Sequence, residues 1–337
     1  MKKLLLILFV AVGVVSCENF NIDHPDFEYI SGYFPYQFPV RTLVLGDYIY
    51  DNTNDNDHKF VVSVAMGGVY ENTVDRKFAI EVDNNLCNNI RFSQGGDTII
   101  ALPSNYYTLS SNNEIVIPAG KMNGGIEVQL TDAFFADPKA IKNTYVVPIR
   151  LKSSADVDTI LSGSSLTANP DVRIVSQWIN APKNFTMFAV KYINEYHGNY
   201  FHYGSSKVKD AAGTEVETTT YSTPYVENNA VTKLTTTARY QVTLPANFHS
   251  TTITGNYTLV LTFSGNNITV SAPAGSAYTI SGTGVFVAKK YSWGNKTRDG
   301  IELTYKVANS TYTYEATEVL VARDRAVVME VYDPVAF

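Results

Sequence analysis

Side chains that could do chemistry here are histidines, carboxylates, serines and a conspicuous set of aromatics, and their spacing tests each kind of chemistry in turn. The five histidines are His24, His58, His197, His202 and His249. No two have the i, i+4 spacing of a helical zinc pair, and none has a cysteine partner, so no transition-metal site is expected. His197 and His202, five apart, would fall on opposite faces of an extended strand. No G-x-S-x-G elbow occurs, and Gly204, Ser205 and Ser206 have no helix to follow them, which argues against an acyl-transfer nucleophile. Glycoside hydrolysis would need two carboxylates about 5 to 10 Å apart across a cleft, a pair that folding alone can assemble. Asp132 and Glu195 are the carboxylates in notable surroundings, each beside apolar residues that read as core. The loop Asp51, Asn52, Thr53, Asn54, Asp55, Asn56, Asp57 alternates oxygen ligands as calcium loops do, making Asp51, Asp55 and Asp57 a calcium candidate. It lacks the turn glycine and the closing glutamate, and a solvated hairpin loop explains it as well.

Aromatic residues carry the stronger signal. Tyr196, Tyr200, Phe201 and Tyr203 crowd around Gly198 in the run YHGNYFHYG, Tyr221 and Tyr225 flank Pro224, and Trp293 sits in a Tyr-Ser-Trp-Gly-Asn loop. Sugar rings present apolar C–H faces that stack on exposed aromatics, while a few polar groups address their hydroxyls. The candidate ligand-binding residues are therefore Trp293, Tyr196, Tyr200, Tyr203, Tyr221 and Tyr225. The competing explanation is core packing, since tyrosines of a strand are commonly half-buried. No catalytic residue, metal or cofactor is assigned, and a non-enzymatic protein is expected.

The elements that must position these residues are strands. In Tyr257 to Phe263, Tyr257, Leu259, Leu261 and Phe263 share one face while Thr258 and Thr262 take the other, and Gly265, Asn266 and Asn267 turn the chain into Ile268 and Val270 as a hairpin. The same alternation marks Ile301 to Val307, and Val319 to Val321 is expected to pair with Val327 to Val331 across Arg323, Asp324 and Arg325. Shorter strands read at Phe60 to Ala65, Phe78 to Val82, Ile115 to Ile117, Ile126 to Leu130 and Tyr145 to Leu151. A helical turn is expected to start where Asp137 precedes Pro138. Strand spacing predicts an all-β chain with an N-terminal β-sandwich at 30–181 and an antiparallel β-meander at 182–337, the polar stretch Ala181, Pro182, Lys183 dividing them.

Residues 1–16 read as a signal peptide: Lys2 and Lys3 precede an uncharged apolar run from Leu4 to Val15, too short to span a bilayer. Val14, Val15 and Ser16 lead into Cys17 in the manner of a bacterial lipobox, so Cys17 is the expected lipidation site and 17–29 a tether. Acylation would hold the chain to a membrane. Cutting before Cys17 removes two lysines and takes the formal charge from −6 to −8. That acidity, without any basic cluster, excludes nucleic acid as an expected partner. Cys87 is then the one remaining cysteine and reads as a small buried apolar residue.

The stretches YFPYQFPVRTLVLGD at Tyr33–Asp47, MGGVYEN at Met66–Asn72 and LTDAFFADPKAIKNTYVVPIRL at Leu130–Leu151 resemble a family of uncharacterised two-domain lipoproteins from Bacteroidetes, and the half from Phe185 through YHGNYFHYG to the end resembles the C-terminal domain found with them. Such chains are frequently encoded in polysaccharide-utilisation loci beside SusC-like and SusD-like proteins. The resemblance implies an immunoglobulin-like N-terminal sandwich and a barrel-like, calycin-like C-terminal domain. It implies an outer-membrane lipoprotein with a glycan-binding or uptake-accessory role. An interaction subunit packing on a SusC/SusD-like complex and a cryptic glycoside hydrolase are the alternatives. Surface-displayed members often carry an acidic run after the cysteine, represented here only by Glu18 and Asp23, so the cell-surface and periplasmic faces both stay open.

Overall fold

The computed structural model describes residues 27–337; the leader, Cys17 and most of the tether lie outside the described residues. Twelve strands come first: β1 (Ser31–Tyr33), β2 (Pro39–Val44), β3 (Lys59–Gly67), β4 (Arg76–Val82), β5 (Ile90–Arg91), β6 (Ile100–Ala101), β7 (Tyr107–Leu109), β8 (Glu114–Ile117), β9 (Asn123–Leu130), β10 (Tyr145–Ser153), β11 (Thr159–Ile160) and β12 (Phe185–Ile193). They form two facing sheets, β11-β1-β3-β9-β7 and β2-β12-β10-β4-β8, the second with β6 on β10. Alternation fills the space between: Phe60, Val62 and Val64 of β3 and Ile126 and Val128 of β9 meet Phe78, Ile115, Val147 and Tyr192 of the other sheet. Strand β10 is buried on both faces. Val147 and Ile149 enter the inter-sheet core while Val146 joins a second cluster with Ile90, Phe92, Phe185, Met187 and Tyr332, which is why its sequence is a continuous apolar run rather than an alternating one. Cys87 lies in that second cluster, where burial pushes its thiol up to about 12, as befits a packed rather than a reactive cysteine.

The other half contributes β13 (Gly198–Asp210), β14 (Glu215–Tyr221), β15 (Ala230–Ala238), β16 (Gln241–Asn247), β17 (Asn256–Ser264), β18 (Asn267–Ser271), β19 (Thr279–Trp293), β20 (Lys296–Ala308) and β21 (Tyr312–Asp324). Pairing of β21 with β13 closes the meander into an eight-stranded antiparallel barrel, with β14 continuing along the edge of β13. Its interior is packed: Leu234, Leu244, Leu259, Leu261, Ile301 and Leu303 are all buried there. Thr258, Thr262, Thr304 and Lys306 face outward, the reverse of the pattern a membrane-spanning barrel requires. No helix among the described residues is long and apolar enough to cross a membrane.

Three expectations shift. The chain does not leave the sandwich at Pro182, because β12 pairs with β2 and β10; the change of domain comes at Ile193–Asn194. A Pro-containing polar stretch is a loop signal, and here the loop lies inside the first domain. The short helix is Asp132–Ala136, and Asp137 follows as its C-cap instead of starting it. Phe134 and Phe135 are buried by that turn, and Asp137 is held by the hydroxyls of Tyr106 (3.0 Å) and Tyr145 (2.5 Å), so tertiary partners override its capping preference. Finally, Val319 to Val321 pairs with β13 and β20, not with the residues after Arg325. Those residues return to the sandwich as β22 (Glu330–Val331) beside β2 and β23 (Val335–Ala336) beside β5, anchored by Tyr332, whose hydroxyl donates to Met187 O at 2.7 Å.

Candidate functional site

Three chain segments converge where the barrel rim meets the sandwich. The first follows β2. Gly46 takes φ +81°, and a Cβ there would fall 2.5 Å from Glu195 Cβ, so only glycine lets the loop turn against the start of the barrel. Asn52 braces the loop by donating to Val44 O (2.8 Å) and Gly46 O (2.7 Å). What projects is Tyr48, edge-on to Tyr50 at 5.4 Å, with Ile49 and Tyr50 about 73% and 68% exposed. The calcium candidate dissolves here. Asp55 turns inward, accepting from Arg41 and from the Val44 amide at 2.9 Å, its carboxyl raised by burial; Asp51 instead receives the Thr53 amide and hydroxyl. No cluster of metal-ligating side chains including Asp57 forms among the described residues.

The second segment is the tip of the β19–β20 hairpin. Gly294 and Asn295 both take positive φ, 58° and 59°, the signature of a two-residue type I′ turn, so Trp293 pairs with Lys296. A bulge between Val287 and Tyr291, with Lys289 at φ +52°, re-aims Lys289 toward the sandwich. Its ammonium binds Asp47 and lies 3.5 Å from Asp299, whose carboxylate also takes the Lys289 amide at 2.9 Å. The Asp47 bond, aided by Asp299, raises the lysine's pKa.

The third segment is the exit of β21. Arg325 is a four-carbonyl clamp: it donates to His197 O (2.8 Å) and Asn194 O (2.5 Å) at the barrel entrance and to Leu45 O (2.9 Å) and Asp47 O (2.8 Å) in the sandwich loop. Burial lowers its pKa. Beside it, His197 is buried with Nδ1 accepting the Thr236 amide at 3.1 Å; burial, reinforced by Lys233 and Arg325, drives its pKa down to about 4. Between the three segments lies a cleft of about 850 Å³, with Tyr48, Ile49 and Tyr50 on one wall and Lys296, Arg298 and Arg323 on the other.

The six aromatics singled out in the sequence do not make this cleft. Tyr196 is buried, stacked on Phe263 at 3.5 Å with rings 6° apart. Tyr200 is buried under the floor, its hydroxyl donating to Tyr196 O at 2.9 Å, and is the one member that lines the cleft. Tyr203 is half-buried, and Tyr225 is exposed on the loop between β14 and β15, on its own. Trp293 is half-buried, its indole N–H bound to Ala322 O (2.9 Å), one edge against Phe201 (5.1 Å) and its ring covered by the Arg298 guanidinium at 4.1 Å. Trp293 positions Arg298 rather than presenting a free stacking face. Sequence reasoning missed Tyr48 and Tyr50, although a Tyr-Ile-Tyr run opening a polar loop breaks strand alternation and could have flagged them.

Tyr221 belongs to a second cluster, inside the barrel. Glu318 is 1% exposed; one carboxylate oxygen accepts from Tyr221 at 2.7 Å and the other lies 3.0 Å from His202 Nε2. Burial pushes the carboxyl up, but His202 and Tyr221 outweigh it, and the net direction is down. Gly204 makes the space: a Cβ there would sit 3.0 Å from Glu318 Cγ and 2.4 Å from Thr317 O. Tyr221 stacks on His249 at 3.7 Å, and Tyr257 and Tyr305 share a 2.7 Å hydrogen bond nearby in the core.

Comparison with known proteins fits this architecture. No curated protein matches the chain. Residues 195–326 match the model of a domain of unknown function, DUF5627, and residues 27–158 match an N-terminal domain model, so the two models meet the two observed domains. A solved Bacteroides ovatus structure of unknown function is 34% identical, covers 92% of this chain and 100% of its own, and superposes with a TM-score of 0.86. A multidomain Bacteroides ovatus protein including DUF1735 is 12% identical over 87% of this chain and 94% of its own, with a TM-score of 0.44, too loose to carry an argument. Sharing sequence and fold with the first of these across both halves, the chain belongs to its family, two-domain β proteins whose barrel is the DUF5627 domain.

Proposed function

We propose that this is a non-catalytic binding protein that takes a glycan in the cleft between sandwich and barrel. The observation that carries the reading is the cleft itself: about 850 Å³, with half-buried Tyr48 and exposed Tyr50 facing a polar wall, at a domain junction bridged by Arg325. Tyrosine faces suit sugar C–H surfaces, and the opposing polar groups suit hydroxyls. A hydrolase would need a free carboxyl in apolar surroundings to act as the acid. Here Asp47 and Asp299 are engaged by Lys289, Asp324 by Asn199 (2.7 Å) and the Ala326 amide (2.9 Å), and Glu195 lies 3.7 Å from Arg239, which supports binding over hydrolysis. Within this reading the chain is exported, anchored through lipid on Cys17 and displayed at the outer membrane as part of a polysaccharide-uptake system. Labelled fatty acid should enter the wild-type chain and not Cys17→Ala. Binding to purified polysaccharides should be measurable by affinity electrophoresis and should fall about tenfold in Tyr50→Ala, the loss of one aromatic anchor. Absence of binding across a broad glycan panel sinks the proposal.

One observation favours a protein partner as the second reading. Ile49, Tyr50, Val328, Met329 and Val331 are all exposed, and the first three border the same cleft. Co-purification with a SusC-like or SusD-like protein from detergent-solubilised membranes, lost in Met329→Asp, would select this reading; recovery of the chain alone removes it.

A further inference from the structure

The cleft's charges are not balanced, and the imbalance names a ligand class. The protein as a whole is acidic, with a formal charge of −6. In the cleft, however, the four carboxylates Asp47, Glu195, Asp299 and Asp324 each already face a cation or a donor of the protein. Lys289 and Arg325 are consumed in the same contacts. Arg323 has only a 3.5 Å approach to its neighbour Asp324. Arg298 and Lys296 line the cleft and, among the described residues, have no carboxylate within 4.0 Å. Arg298 also buries its Nε without a hydrogen-bond acceptor, while its guanidinium lies on the Trp293 ring at 4.1 Å. A guanidinium fixed on an aromatic face is a pre-organised fork for a planar or tetrahedral oxyanion, and stacking leaves its edge free to donate. The type I′ turn at Gly294–Asn295 places Lys296 two residues ahead of it, on the same strand face.

We infer that the cleft selects glycans that carry an anionic group, a uronate carboxylate or a sulfate ester, received by Arg298 and Lys296. The inference rests on the reading of the cleft as a glycan site. Tyr48 and Tyr50 then address the sugar ring, and the two cations address its charged substituent from the opposite wall.

The test is isothermal titration calorimetry of the soluble chain from Glu18 onward against three sets of oligosaccharides: neutral, uronate-containing and sulfated. At least one anionic set should bind about tenfold or more tightly than the neutral set, and that preference should shrink as salt is raised. Lys296→Gln, at an exposed position, and Arg298→Gln should each remove most of the preference, weakening anionic binding far more than neutral binding; thermal melts confirm that each variant is folded. Whichever set responds identifies carboxylate or sulfate as the group received. Equal binding of neutral and anionic sugars, or a preference untouched by Lys296→Gln, overturns the inference and leaves the cleft reading standing. No binding by any set overturns both.

Discussion

Strands β13 and β21 carry two polar clusters a few residues apart. At one register Gly204 faces Glu318; four residues toward the rim Tyr200 faces Ala322 and borders the cleft. In the inner cluster Glu318 and His202 are buried, Tyr221 is half-buried over them, and the groups face one another. The outer cluster, built of lysines, arginines and aspartates, sits at the junction of two domains, where Arg298 and Lys296 are left without acids. A buried charge must be matched by the fold, because leaving it unpaired costs several kcal/mol; a rim charge can wait for a ligand. The same barrel wall thus separates a constellation that holds the structure from one that is open to a partner.

The comparison breaks most sharply at Glu318. Glu318→Ala should destabilise the chain by about 3–5 kcal/mol, by leaving Tyr221 without its acceptor and His202 without the carboxylate beside it. A denaturation midpoint close to wild type would mean the inner cluster is not structural. His197, beside the Arg325 clamp at the outer cluster, sharpens the picture with pH. Its folded-state pKa is depressed from 6.5 to about 4, so the unfolded chain takes the proton first and stability falls as pH drops through that window, by up to about 3 kcal/mol. Urea titrations across the window should show this slope in wild type and a flatter one in His197→Gln. Arg325→Ala should cost about 2–3 kcal/mol through its carbonyl hydrogen bonds, and glycan binding should fall with it, since the clamp sets the distance between the cleft walls. Tyr50→Ala should change stability by less than about 0.5 kcal/mol, so that a loss of binding there reports on the site alone.

Local pattern predicted most of the elements. The Tyr257–Phe263 and Ile268–Val270 hairpin forms with the expected residues inward, because alternation and turn chemistry act over neighbouring residues. Barrel closure was only suggested, since the β13–β21 pairing joins strands more than a hundred residues apart and leaves no local mark. The aromatic cluster around Gly198 is legible as a cluster, with core and binding site both open: whether Tyr196 meets solvent depends on Phe263, which the fold brings to it. The cleft was illegible for the same reason, its walls being assembled from the Tyr48–Tyr50 loop, a hairpin tip and a strand exit.

The return of β22 and β23 to the sandwich reverses the usual order of manufacture. Strand β2 gains its outer neighbour, and the second sandwich core gains Tyr332, only from residues made after the entire barrel. A nascent chain therefore carries its first domain with an open edge until the residues after the barrel are made, the interval in which unpaired strands are prone to wrong partners. Removal of residues 330–337 would act as a lesion of the first domain, stripping β2 and β5 of partners and its second core of Tyr332 although the missing residues follow the barrel in sequence.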